Sequence, residues 1–211
     1  MGKRRPDCYF PSDMHAVDAL RRWLRNAMPG VLGETILDPA AGYGGIFDGL
    51  GTPLPNRRAI ELHARHRAEL RRRVMPQHLR IGDGLVLPWE GRHVVMNPPF
   101  DNELMTAFVA RALERQDDRG GLVVCLALAT WWHSDAVRAR GAALRRPSYI
   151  LVPDQRVSCD GTGRGDMRAI DWLVWMPGPV PARTEVVWLP PAAPAPALIA
   201  EHRRLASLGG A

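Results

Sequence analysis

Apolar and polar positions alternate between two periods along this chain. Residues 12–28 carry Met14, Val17, Leu20, Trp23, Leu24 and Met28 at helical spacing, and Pro29-Gly30 stops the run. Ser12 stands where an N-cap is expected. Short apolar runs then recur at residues 34–38, 57–62, 79–82, 93–96, 122–129, 149–152 and 169–176. Each is long enough for a buried strand and too short for a helix. Between them, residues 63–74 predict a strongly basic helix. Residues 102–115 predict an amphipathic one with Leu104, Phe108, Ala112 and Leu113 inward, and a third helix follows Ser134. Alternating strands and helices predict an α/β fold: a doubly wound, mostly parallel, seven-stranded Rossmann-like sheet. No helix separates the sixth and seventh strands, so the sheet should close with an antiparallel last strand. Residues 1–180 are expected to form one catalytic domain with an N-terminal helix. Residues 181–211 are expected to form a Pro-rich C-terminal extension carrying one more strand, 185–189.

Strand ends concentrate the chemistry. Asn97-Pro98-Pro99-Phe100 follows the apolar run His93-Val94-Val95-Met96. No strand continues through two prolines, because each lacks an N–H and fixes its φ. An amide, a rigid loop and an aromatic ring are therefore delivered to the carboxyl end of a strand, where open α/β sheets bind ligands. The first strand runs into Asp38-Pro39-Ala40-Ala41-Gly42-Tyr43-Gly44-Gly45, a Gly-rich turn that lets backbone approach a ligand closely. Phe47 occupies the third glycine position of the dinucleotide fingerprint. Asp38 would repel a pyrophosphate and suits a cationic or amino-bearing ligand. These two features disfavour a nicotinamide-dependent oxidoreductase. Glu61 ends the second strand about 20 residues past the turn, where an acid typically accepts from ribose hydroxyls. Asp83 ends the third, where it could accept from an adenine amino group or simply form an Asp-Gly turn.

Composition changes this picture little. The net charge of +6 favours an acidic partner, although Lys3 is the only lysine and the arginine bias can reflect a GC-rich coding sequence. Cys8, Cys125 and Cys159 offer neither a zinc pattern nor a disulfide frame and suit a reducing cytoplasm. No run reaches membrane-spanning length, and the basic start lacks the apolar segment of a secretory signal.

The loop Asp38-Pro39-Ala40-Ala41-Gly42-Tyr43-Gly44 and the motif Asn97-Pro98-Pro99-Phe100 together resemble the class I methyltransferases that use S-adenosylmethionine. Within them the chain resembles the N6-adenine DNA methyltransferases, including small phage-borne ones. The resemblance implies a cofactor pocket from Phe10, Pro11, Asp38, Pro39, Ala40, Gly42, Gly44, Glu61, Asp83 and Asn97. It implies a catalytic set of Asn97, Pro98, Pro99 and Phe100, no metal, and nucleic acid, DNA first, as the partner of a cytoplasmic enzyme of bacterial or phage origin. No segment is long enough for a separate target-recognition domain. Substrate contacts are therefore expected from Phe100, from Trp131 and Trp132, and from Arg156, Arg164 and Arg168 in a Gly-rich loop. Packing over the sheet edge is an equally open role for one of the two tryptophans. The same chemistry also serves RNA bases and protein glutamine amides. A non-catalytic nucleic-acid-binding module is the alternative of another class.

Overall fold

The computed structural model describes residues 12–140, 144–154 and 169–209. Helix α1 (Met14–Ala27) opens the described chain. Asp13, one residue past the expected cap, accepts from the N–H groups of His15 and Ala16 at 2.7 and 3.3 Å. Strands β1 (Ile36–Asp38), β2 (Arg57–Glu61), β3 (Leu79–Ile81), β4 (His93–Met96) and β5 (Val123–Leu128) follow. The connecting helices are α2 (Gly45–Leu50), α3 (Arg67–Leu70) and α4 (Asn102–Arg119). After α5 (Asp135–Arg140) come β6 (Tyr149–Pro153), β7 (Ile170–Trp175), β8 (Glu185–Leu189) and α6 (Pro196–Gly209).

The strands form one eight-stranded sheet in the order β3-β2-β1-β4-β5-β7-β6-β8. β7 runs antiparallel to both β5 and β6, as expected for a pair without a helix between them. The expected seven strands become eight, and the last is not the antiparallel one: β8 lies parallel on β6. Hydrogen bonds from Arg146 to the Ala182 carbonyl and from Thr184 to the Pro147 carbonyl guide the Pro-rich connection past β6. β8 thus arrives on the outer edge of β6, in the same direction.

Period-two alternation decides which residue meets which layer. Val94, Met96, Val123, Cys125 and Ala127 join one core with Met105, Val109 and Leu113 of α4. Val95, Val124 and Leu126 join the other with Val17, Leu20 and Leu24 of α1. Buried on both faces, these strands read as continuous apolar runs. The Trp172 indole crosses one layer and donates to the Ala16 carbonyl at 3.0 Å, tying α1 to the sheet.

The expected basic helix at 63–74 is shortened to a 3₁₀ turn and the four-residue α3. Its last arginine is not solvated. Arg73 is 7% exposed and pairs with Asp48 of α2, Glu69 of α3 and Glu201 of α6. Arg204 of α6 adds a 2.8 Å contact to Glu69. The segment expected as an extension therefore fastens a helix across α2 and α3 through shared, partly buried charges, where such pairs are screened less than on open surface.

Candidate active site

The strand order reverses between β1 and β4, which pair in parallel through Ile36–His93 and Leu37–Val94. A sheet with this reversal leaves a crevice at the carboxyl ends of the two strands. Asp38 and Asn97 emerge there side by side. A cavity of about 210 Å³ opens at this point, lined by Asp38, Pro39, Ala40, Gly42, Glu61, Asp83, Asn97, Pro98 and Pro99, together with Ser12.

The loop after β1 is held by carboxylates. Asp38 is 2% exposed and accepts from the Ala40 N–H at 3.1 Å. Burial pushes its carboxyl up to about 8; the Ala40 N–H opposes this, and the neighbouring negative Glu61 adds to it. Glu61, 5% exposed, accepts from the Gly42 N–H at 2.8 Å through Oε2 and from the His63 N–H at 2.8 Å through Oε1. The acid at the end of β2 thus shapes the glycine turn as well as facing the cavity. Gly44 belongs to the turn and not to the cavity wall. It takes φ +83°, and a Cβ there would press on Arg73 and Leu70 at 3.1 and 3.3 Å.

Asp83 is exposed, and its Oδ1 accepts from the Leu85 N–H at 2.8 Å, closing a local turn at the cavity rim. Gly84 behind it has its carbonyl tied by the Trp89 indole at 2.6 Å and by Arg111 of α4 at 3.0 Å. A Cβ on Gly84 would overlap the Pro39 carbonyl oxygen and lie 2.9 Å from the Phe108 ring. Gly84→Ala is therefore expected to lower the melting temperature by about 3–10 °C and to weaken ligand binding in the cavity, as overpacking at a rigid contact does. Thermal unfolding with and without ligand measures both.

Asn97 and Pro98 follow the buried Met96, and α4 starts immediately beyond with Asp101 as its cap, accepting from Glu103 and Leu104 N–H groups at 3.0 Å. The loop is fixed at both ends. Asn97 Nδ2 donates to the Ser12 hydroxyl at 3.1 Å. Ser12, expected to cap α1, instead stands in the cavity wall, a placement local pattern could not show. Phe100 is half-buried and leans on both core layers, outside the cavity lining.

The remaining expected residues fall into three groups. Trp131 is 1% exposed and its indole donates to Thr106 at 3.1 Å, so it packs α4 against the sheet and presents no surface to a substrate. Trp132 is half-buried against it, with ring centroids 5.7 Å apart. Phe10, Pro11, Arg156, Arg164 and Arg168 lie outside the described residues. His66, His63, Leu62 and Leu85 line the cavity without having been singled out from sequence, and so do Leu104 and Phe108, expected only as core positions. Leu104, expected to face the core, is 43% exposed and lines the cavity instead.

A carboxylate held near neutral charge beside a second, deeply placed one suits a ligand that brings positive charge. A cationic group at Asp38 would favour the ionised carboxylate and expel its proton. Without the ligand the sign is fixed by the raised pKa. Between the ordinary carboxylate value near 4 and about 8 the folded protein binds more protons than the unfolded chain, so this group's contribution destabilises progressively as pH rises through that window. Asp38→Asn removes this contribution, so the stability of the variant relative to the native protein is expected to rise between pH 5 and 9. Melting curves across the range check it.

No protein-family model and no curated protein matches the sequence. Solved structures share its fold. A candidate RNA methyltransferase from Pyrococcus horikoshii superposes with a TM-score of 0.56 at 17% identity, over 76% of this chain and 82% of that one. A candidate class I S-adenosylmethionine-dependent methyltransferase from Listeria monocytogenes gives 0.57 at 14% identity, over 99% and 73%. A type I restriction-modification methyltransferase subunit from Streptococcus thermophilus gives 0.62 at 11% identity; it covers 98% of this chain, which spans 55% of that subunit. The chain shares the fold of these three methyltransferase structures. Among the described residues no helix is long and apolar enough to cross a membrane.

Proposed function

We propose that the chain uses S-adenosylmethionine to methylate an exocyclic amino group, adenine N6 in DNA before other acceptors. One observation carries this reading. Asn97 and Pro98 at the end of β4 line the same cavity as Asp38, Gly42, Glu61 and Asp83 at the ends of β1, β2 and β3. In this reading the Asn97 amide and the Pro98 carbonyl meet a donor pocket.

The donor set fits the cofactor. Asp38 and Glu61 offer buried carboxylate to its cationic and hydroxyl-bearing parts. Leu62 and Leu104, both exposed, flank the cavity with apolar surface that a planar base would cover. The bound cofactor would supply an electrophilic methyl group on a sulfonium; the protein's own residues do the rest.

An aromatic amino nitrogen is a poor nucleophile because its lone pair is delocalised into the ring. Two acceptors on its two N–H bonds favour a pyramidal nitrogen and stabilise the positive charge that develops there. Asn97 Oδ1 and the Pro98 carbonyl are assigned this role. Pro98 is buried and the loop is braced between β4 and α4, so the acceptors need little reorganisation. A base in duplex DNA would have to leave the stack to reach them. The net charge of +6 supports a nucleic-acid acceptor.

The test is transfer of labelled methyl from S-adenosylmethionine by purified protein to DNA, RNA and protein acceptors. Label on adenine in DNA is the expected result. Transfer to none of the three, with the cofactor bound, would overturn the assignment of catalysis. Transfer to RNA or glutamine alone would overturn the DNA assignment and keep the chemistry.

A further inference from the structure

The Asn97 side chain is tied to an element distant in sequence. Asn97 Nδ2 donates to the Ser12 hydroxyl at 3.1 Å, and both residues line the cavity. Period-two alternation puts the contact there. Val95 packs in the same core layer as α1 and Met96 in the opposite one, so the next residue, Asn97, returns to the α1 side. Ser12, 8% exposed, stands on that side just ahead of the helix.

The hydroxyl sits on an anchored element. Asp13 caps α1 through the His15 and Ala16 N–H groups, so capping does not depend on Ser12. Val17, Leu20 and Leu24 bury the helix in the core, and the Trp172 indole holds the Ala16 carbonyl at 3.0 Å.

A primary amide carries donors on its nitrogen and acceptor lone pairs on its oxygen. Both atoms branch from one carbon, so half a turn about the last side-chain bond exchanges a donor for an acceptor at the same spot. Toward a substrate N–H the oxygen attracts and the nitrogen repels. A serine hydroxyl can accept, which gives Nδ2 a partner on the α1 side and leaves Oδ1 on the other branch.

We propose that Ser12 is a positioning residue: its hydroxyl keeps Asn97 Nδ2 turned to α1, so that Oδ1 is the branch offered to the substrate amino group. The role rests on the amino-methylation reading. Ser12 acts through Asn97 and not on the methyl group.

The test is a double-mutant cycle read by single-turnover methyl transfer to the acceptor that the native protein labels. Ser12→Ala removes the hydroxyl and leaves the α1 cap intact. It is expected to slow transfer about tenfold, an effect of the order that one neutral hydrogen bond accounts for, with S-adenosylhomocysteine affinity within twofold of native. The same change is then made in Asn97→Asp. A carboxylate has an oxygen on both branches, so no orientation has to be selected. In that background Ser12→Ala is expected to alter the rate less than twofold. Equal slowing in both backgrounds would make Ser12 a packing or ligand contact independent of the amide and overturn the proposal. An unchanged rate in the native background, or a loss of S-adenosylhomocysteine affinity as large as the slowing, would overturn it too. A second measurement needs no variant to fold. In the native protein the Asn97 side-chain NH₂ protons should show strong nuclear Overhauser contacts to the Ser12 β-protons; their absence would mark the opposite amide orientation and overturn the proposal. Native protein that methylates none of DNA, RNA and protein would overturn the amino-methylation reading itself, a result distinct from transfer that ignores Ser12.

Discussion

Asn97→Ala is expected to slow methyl transfer at least about a hundredfold while cofactor affinity stays within a few fold. Removing one preorganised group that stabilises transition-state charge typically costs 10²–10³ in rate. The structure makes this substitution a clean probe. Asn97 follows the last residue of β4, its side chain reaches Ser12 at 3.1 Å, and the apolar packing of the strand ends with the buried Met96. Pro98, Pro99 and the Asp101 cap keep the loop in place without the amide. Asn97→Asp keeps an acceptor oxygen and should retain more activity than Asn97→Ala. Single-turnover transfer of labelled methyl, beside calorimetric affinity for S-adenosylhomocysteine, separates the two effects. Retention of the rate within a few fold by Asn97→Ala would contradict the amino-group account.

Glu61→Ala is expected to abolish measurable cofactor binding, a loss of about a hundredfold or more, and to destabilise the fold as well. The carboxylate serves two structural N–H groups, of Gly42 and His63, from a site that is 5% exposed. Leaving a buried donor unsatisfied costs about 1–3 kcal/mol. A ligand hydroxyl on a charged acceptor contributes about 1.5–3 kcal/mol more, and the loosened glycine turn adds to the loss. Glu61→Gln keeps an acceptor oxygen and should recover stability better than affinity. Thermal unfolding and calorimetry of the two variants distinguish loop support from ligand contact. Unchanged affinity in Glu61→Ala would remove Glu61 from the site.

Asp38 and Asn97 could be placed from sequence because glycine and proline end their strands abruptly, and local chemistry alone marks the break. Glu61 and Asp83 followed from strand spacing. The sheet's parallel core was equally legible, since strands buried on both faces leave uninterrupted apolar runs such as 122–128. What stayed hidden depends on contacts distant in sequence. Arg73 looked like one more member of a charge run until Glu201, 128 residues away, closed on it. Ser12 looked like a cap until the Asn97 amide, 85 residues away, reached its hydroxyl. Trp131 and Trp132 read as substrate contacts with packing open for one of them, and only Thr106, which gives the Trp131 N–H a buried partner, shows which one packs. β8 could be found from its apolar pattern, but its place beside β6 could not, because pairing partners are set by the path of the connection and not by the strand's own residues. His66 sat among arginines with no periodic or motif signal. It is buried beside Tyr43, ring centroids 4.2 Å apart.

The most direct measurement is nucleoside mass spectrometry on DNA and RNA from cells expressing the native protein, set against cells expressing Asn97→Ala. N6-methyladenine appearing in DNA with the native protein, and missing with the variant, is the predicted result. A methyl mark on a ring carbon or a ribose oxygen, or an amino-group mark that persists without Asn97, would contradict the account.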